Sequence, residues 1–189
     1  QTSCLCMALC GMARADVLAR VQVEEHVEYY PIQGRDLREL AVQMQLRGPA
    51  HSATGRRTAG TTHWSVTWSH RLSMRDGQCA LENLNVDAVI RVTLPRWDGD
   101  RGSRPIVREW RRFLASLELH EATHVRHGRE AASAIRDAMV AVPPQATCAL
   151  LTRELARTAR GQLRRYTRLT RRYDALTDYG AAQGVRFEF

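Results

Sequence analysis

Residues 84–94 read Leu84-Asn85-Val86-Asp87-Ala88-Val89-Ile90-Arg91-Val92-Thr93-Leu94, and every even-numbered position is apolar. Successive side chains of a strand point to opposite faces, so this stretch is a β-strand with one buried face. Upstream, Thr62, Trp64, Val66, Trp68, His70 and Leu72 share one face, and His63, Ser65, Thr67, Ser69 and Arg71 share the other. Asp76-Gly77 lies between the two runs as a turn signal. Two alternating strands around such a turn predict an antiparallel hairpin.

The pattern extends in both directions. Val21 to Tyr30 alternates loosely and stops at Pro31, which predicts a further strand. Leu37, Leu40, Ala41 and Met44 recur at helical spacing within 35–46, and 48–60 is a loop rich in Gly, Ser, Thr and Ala. Pro95 ends the strand that began at Leu84, and 98–102 is a second loop. From Pro105 the period becomes helical, with Ser103 placed to cap and Pro105 suited to a first turn. Trp110, Phe113, Leu117, His120, Glu121, His124, Gly128, Ala131 and Ile135 form one stripe, which Pro143-Pro144 breaks. A second long helix carries Leu150, Leu151, Leu155, Ala159, Leu163, Tyr166 and Leu169 toward Tyr173. The expected fold is α+β, an antiparallel sheet packed against two long helices.

Composition bounds the rest. A chain of 189 residues with 44% hydrophobic and 25% charged residues suits one domain with a proper core. All 28 basic residues are Arg, and the net charge is +8. Because the arginines are dispersed, the expectation is a solvated cationic surface with no nucleic-acid partner. The first residues differ: Cys4 to Met12 is a short apolar run followed by Ala13-Arg14-Ala15. That resembles the back half of a secretory signal peptide, so 1–15 is read as the signal and 16–189 as the domain. The run is too short to span a bilayer. The expected location is the periplasm or the outside of the cell. Beyond the signal only Cys79 and Cys148 remain, and two cysteines of an exported protein are expected to pair.

The chemistry is concentrated in His120-Glu121-Ala122-Thr123-His124, an H-E-x-x-H string on the first long helix. A helix sets residues four apart one turn from each other on one face, so both imidazoles can chelate a single Zn2+. Glu121 stands beside the first ligand, where its carboxylate can act as general base toward a water. Two His and a Glu on an inner stripe are costly to bury unless bound or paired. The third ligand is open at this point: Tyr179 is the first choice, with Asp174, Asp178, Glu154 and His127 as alternatives. No serine-hydrolase elbow and no phosphate-binding glycine loop occurs.

The ordered features resemble domain-of-unknown-function family 922, described as predicted secreted zinc-dependent proteases. The resemblance is carried by Tyr30, Gly34, Thr62-x-Trp64-x-Val66-x-Trp68, Cys79, Leu94-Pro95-x-Trp97, Trp110, His120-Glu121-x-x-His124, Cys148 and Tyr173-Asp174-x-x-Thr177-x-Tyr179-Gly180-x-x-Gln183-Gly184. The family's late motif reads Tyr-Asp-x-x-Thr-x-His-Gly, and Tyr179 stands here in the place of its His. The resemblance therefore implies a phenolate third ligand or a weakened site. The function expected is a zinc-dependent endopeptidase acting on a protein or peptide substrate. The alternatives are a non-catalytic envelope protein with a degenerate site and a zinc amidase of the cell wall.

Overall fold

The computed structural model describes residues 17–50, 55, 57–98 and 103–187; the signal-like segment 1–15 lies outside them. The elements run β1 (Leu18–Ile32), α1 (Leu37–Arg47), β2 (Thr61–Arg75), β3 (Gln78–Trp97), α2 (Arg104–Val140) and α3 (Cys148–Thr177), closed by a 3₁₀ turn at Ala181–Gln183. The α+β layout and the two long helices follow the sequence pattern. Ser103 takes the N-cap position of α2, but its side chain makes no capping hydrogen bond.

β3 is the central strand of a three-stranded sheet ordered β1-β3-β2. Its Leu84, Val86 and Ile90 are fully buried, as the alternation requires. β2 and β3 form the expected antiparallel hairpin, with Trp64 opposite Ile90 and Trp68 opposite Val86. The sheet is nevertheless mixed, which corrects the antiparallel expectation: β1 pairs with β3 in parallel, Val21 opposite Val86 and Val27 opposite Val92. A two-residue turn forces antiparallel pairing only on the strands it joins. β1 reaches β2 through α1 and the 48–60 loop, so it is free to take the other edge of β3 in either sense. Its alternation is the same in both.

Two apolar clusters hold the helices to the sheet. One joins Val86 to Ile135, Met139, Leu151 and Leu155, and so ties β3 to the second half of α2 and the first half of α3. The other joins Ile32, Leu40, Met44 and Leu94 to Trp110, Phe113 and Leu117 at the start of α2. His120, Glu121 and His124 fall between them on the same buried stripe of α2. There α2 approaches the sheet closely: a Cβ on Gly128 would stand 3.0 Å from Ile90 Cδ1 and 3.1 Å from Trp64 Cβ. The buried imidazoles thus lie over the hairpin rather than out in solvent.

Cys79 and Cys148 are bonded, their Cα atoms 5.0 Å apart. Backbone bonds between Cys79 and Gln145 run in both directions at 2.7 and 2.9 Å beside the bridge. Together they fix the N-terminus of α3 to the start of β3, and so the line along which α3 runs back past α2. The bridge spans 69 positions, for which chain entropy predicts about 4 kcal/mol of stabilisation. Chemical denaturation of the Cys79→Ser/Cys148→Ser protein should show a loss of about that size, whereas a loss under about 1 kcal/mol would mean that the backbone bonds alone hold this corner.

Candidate functional site

The helical repeat of α2 puts His120 and His124 one above the other, with their rings edge to face at 4.9 Å. Both Nε2 atoms turn toward one carboxylate. Asp174 Oδ1, from the last turns of α3, stands 2.9 Å from His124 Nε2 and 3.5 Å from His120 Nε2. The two Nε2 atoms are 3.2 Å from each other. Among the described residues these are the buried histidines and the one buried aspartate, and Glu121 is buried beside them. Donor atoms of His120, His124 and Asp174 all lie within 4.8 Å of one another.

The surroundings hold each donor in place. His120 Nδ1 is 2.9 Å from Gln183 Oε1. An amide oxygen only accepts, so Nδ1 carries a proton; in the protonated ring Nε2–H then faces Asp174, and in the neutral ring the same position presents the lone pair that a metal would take. Tyr173 donates its hydroxyl to the same Gln183 oxygen at 3.0 Å and stacks on the His120 ring at 4.9 Å. Gln183 returns to the site because Asp178, Tyr179 and Gly180 are all left-handed, at φ 48°, 51° and 87°. Gly180 is needed there, since a Cβ would stand 3.2 Å from His120 Cγ and 2.7 Å from Val185 Cγ2. Arg112 secures the returning segment by donating to the carbonyls of Gly184 and Arg186.

From the sheet, Thr62 of β2 donates its hydroxyl to Glu121 Oε2 at 2.8 Å. Burial pushes the Glu121 carboxyl above its ordinary range, against the opposing pull of the Thr62 bond and the two imidazoles. Burial works the same way on Asp174, but its bonds to His120 and His124 outweigh it and hold the carboxyl well below the usual range. His120 is drawn down by burial, yet Asp174 and Gln183 raise it overall. His124 Nδ1 is buried and makes no hydrogen bond among the described residues.

Glu121, the two imidazoles and Asp174 open on one cavity of about 100 Å³, walled by 58–62 and Leu117 and rimmed by Thr170 and Tyr179. Tyr30 keeps that wall in position by donating to the Ala59 carbonyl at 2.6 Å, and Trp97 donates to Gly34 at 3.2 Å. Of the third-ligand candidates, Asp174 is the carboxylate set against both imidazoles. Tyr179 lines the same cavity with its side of the residue half exposed. Glu154 lies elsewhere, paired with Arg157, and His127 bonds Thr170 at 3.1 Å. Thr62 and Gln183 have site contacts that the sequence reading did not assign. The inward face of β2 was a signal for Thr62; Gln183 had only its place in the late motif.

Two nitrogens and a carboxylate oxygen that converge, with a cavity on their open side, suit a zinc ion in an open tetrahedral site. The fixed His120 tautomer is the arrangement that a ligating imidazole requires.

Over residues 27–180 the chain matches the family described as Bacterial protein of unknown function (DUF922). No curated protein and no solved structure matches it.

Without metal, the imidazole–carboxylate cluster has a pH signature. The raised His120 stabilises the fold below the ordinary His value of 6.5 and loses its effect as pH rises through the folded value. The lowered Asp174 stabilises above its ordinary 3.8 and loses its effect as pH falls through the folded value. Urea unfolding of chelator-treated protein should therefore show the largest gap between wild type and Asp174→Asn at pH values between 3.8 and 6.5. A gap that is constant from pH 3 to 9 would contradict the pairing.

Proposed function

The chain belongs to the family of bacterial proteins of unknown function just described, and from the geometry of its site we propose that it is an exported zinc-dependent endopeptidase. The observation that carries the reading is the position of Glu121, buried and held by Thr62 in the same cavity onto which the two imidazoles and Asp174 converge. His120, His124 and Asp174 would hold the ion. A bound zinc supplies a Lewis acid that lowers the pKa of water and polarises a carbonyl.

The chain's own residues do the rest. Thr62 ties Glu121 Oε2, which leaves Oε1 to take a proton from water and pass it to the leaving amine. A carboxyl raised by burial is a stronger base than an ordinary Glu and keeps the proton it takes for the return step. Tyr179 at the rim brings a phenol that can donate to the oxyanion developing on the substrate carbonyl. Gln183 and Tyr173 keep the His120 lone pair aimed inward.

Three substitutions separate these roles. His124→Ala should abolish binding of about one zinc per chain. Glu121→Gln should keep the metal and lower casein hydrolysis by about 100-fold or more. Gln183→Ala should weaken zinc binding about 10- to 100-fold, read by competition with a chelating dye. Wild-type protein that stays metal-free at micromolar zinc would refute the reading. Cleavage of peptidoglycan fragments with no action on casein would replace it with the amidase reading.

A further inference from the structure

The outward face of α3 has no part in the chemistry above. Arg153, Arg157, Arg160, Arg164, Arg168 and Arg171 follow one another at spacings of four, three, four, four and three, and all six are exposed. At 3.6 residues per turn they fall within roughly 80° of the helix circumference, along a line about 27 Å long. No Asp or Glu occurs from 155 to 173. Arg157 is paired with Glu154 at 2.6 Å. Among the described residues, no ion pair involves Arg160, Arg164, Arg168 or Arg171.

Like charges one turn apart destabilise a helix, so from Arg160 to Arg171 the stripe weakens α3 with no compensating ion pair among the described residues. An anionic partner would supply that compensation. The kind of partner follows from the face. The apolar side of α3 is buried through Leu151, Leu155, Ala159 and Tyr166, and its exposed leucines, Leu150, Leu169 and Leu176, are scattered along the helix, so they form no continuous apolar face for lipid. Tyr166, the one aromatic between Arg153 and Arg171, is buried, so bases find no stacking platform along the stripe. Arg165 and Arg172 are exposed beside the second half of the line and broaden it there; a basic strip of this length fits an extended chain, and about eight residues of extended polypeptide cover it. At its end Arg171 lies between Thr170 and Asp174, and both of these line the cavity.

We propose that the arginine stripe of α3 docks an acidic, extended segment of the polypeptide substrate and leads it to the cavity. Cleavage of such a segment rests on the peptidase reading; docking does not.

The test uses the full chain carrying Glu121→Gln, freed of metal, with a fluorescein-labelled octaglutamate peptide followed by anisotropy. Binding should be present at about 0.01 M salt, where charges act over about 30 Å, and vanish at about 1 M, where they act over about 3 Å. Arg160→Glu/Arg164→Glu/Arg168→Glu should weaken it at least about tenfold. The corresponding Arg→Gln triple should weaken it less, and it serves if the reversal fails to fold. Arg20→Glu/Arg71→Glu/Arg91→Glu, with the same change in net charge on the sheet, should stay within about twofold of the parent.

No binding at low salt, or an equal loss in the sheet variant, would overturn the proposal. So would tighter stripe-dependent binding of a single-stranded oligonucleotide or of phosphatidylglycerol vesicles. Stripe-dependent binding by a chain that, zinc-loaded and with Glu121 intact, hydrolyses no peptide would sink the peptidase reading and leave the docking surface standing. Hydrolysis of neutral peptides without such binding would do the reverse.

Discussion

Two imidazoles and two carboxylates are buried together between α2, α3 and the hairpin, and the rest of the structure is arranged around that burial. An isolated buried charge is costly, and the cost falls only when each group finds a partner of matching chemistry. Asp174 meets both Nε2 atoms, Gln183 fixes the far side of His120, and Thr62 holds Glu121. Those partners come from α3, the segment after it and β2, so the cluster can exist only if all three are in register with α2. The apolar clusters above and below it set that register, and the Cys79–Cys148 bridge fixes the end of α3 farthest from the site.

Much of this was legible in the sequence because two periods carry it. Alternation in 62–72 and 84–94 gave the hairpin, and the stripe from Trp110 to Ile135 gave α2 with the H-E-x-x-H string on its inner face. The direction of β1 was not legible, since alternation does not depend on strand sense and the connection through α1 permits either. Nor was the partner of the imidazoles. Asp174 and Tyr179 are five residues apart in one motif, and only the crossing of α2 and α3 decides which faces His124. The left-handed run Asp178-Tyr179-Gly180 then turns the chain back, which carries Tyr179 to the rim and Gln183 to His120. Backbone conformations of that kind leave a Gly in the sequence but no direction.

In the proposed function α3 would link the chemistry to recognition. Its inner face supplies Asp174 and its outer face the arginines, so the same rigid helix sets both the cluster and the approach to it. A shift of α3 against α2 would move the carboxylate away from the imidazoles and the stripe away from the cavity mouth. The bridge at Cys148 therefore constrains a donor atom 26 residues further on.

The proposed function requires His120, His124 and Asp174 to bind one metal ion together. X-ray absorption at the zinc edge of the loaded protein reads that ligand set. Two nitrogen scatterers of imidazole type at about 2.0–2.1 Å and oxygen at about 2.0–2.2 Å are expected, with the imidazole signal reduced in His124→Ala. A shell of oxygen alone, or one unchanged by that substitution, would contradict it.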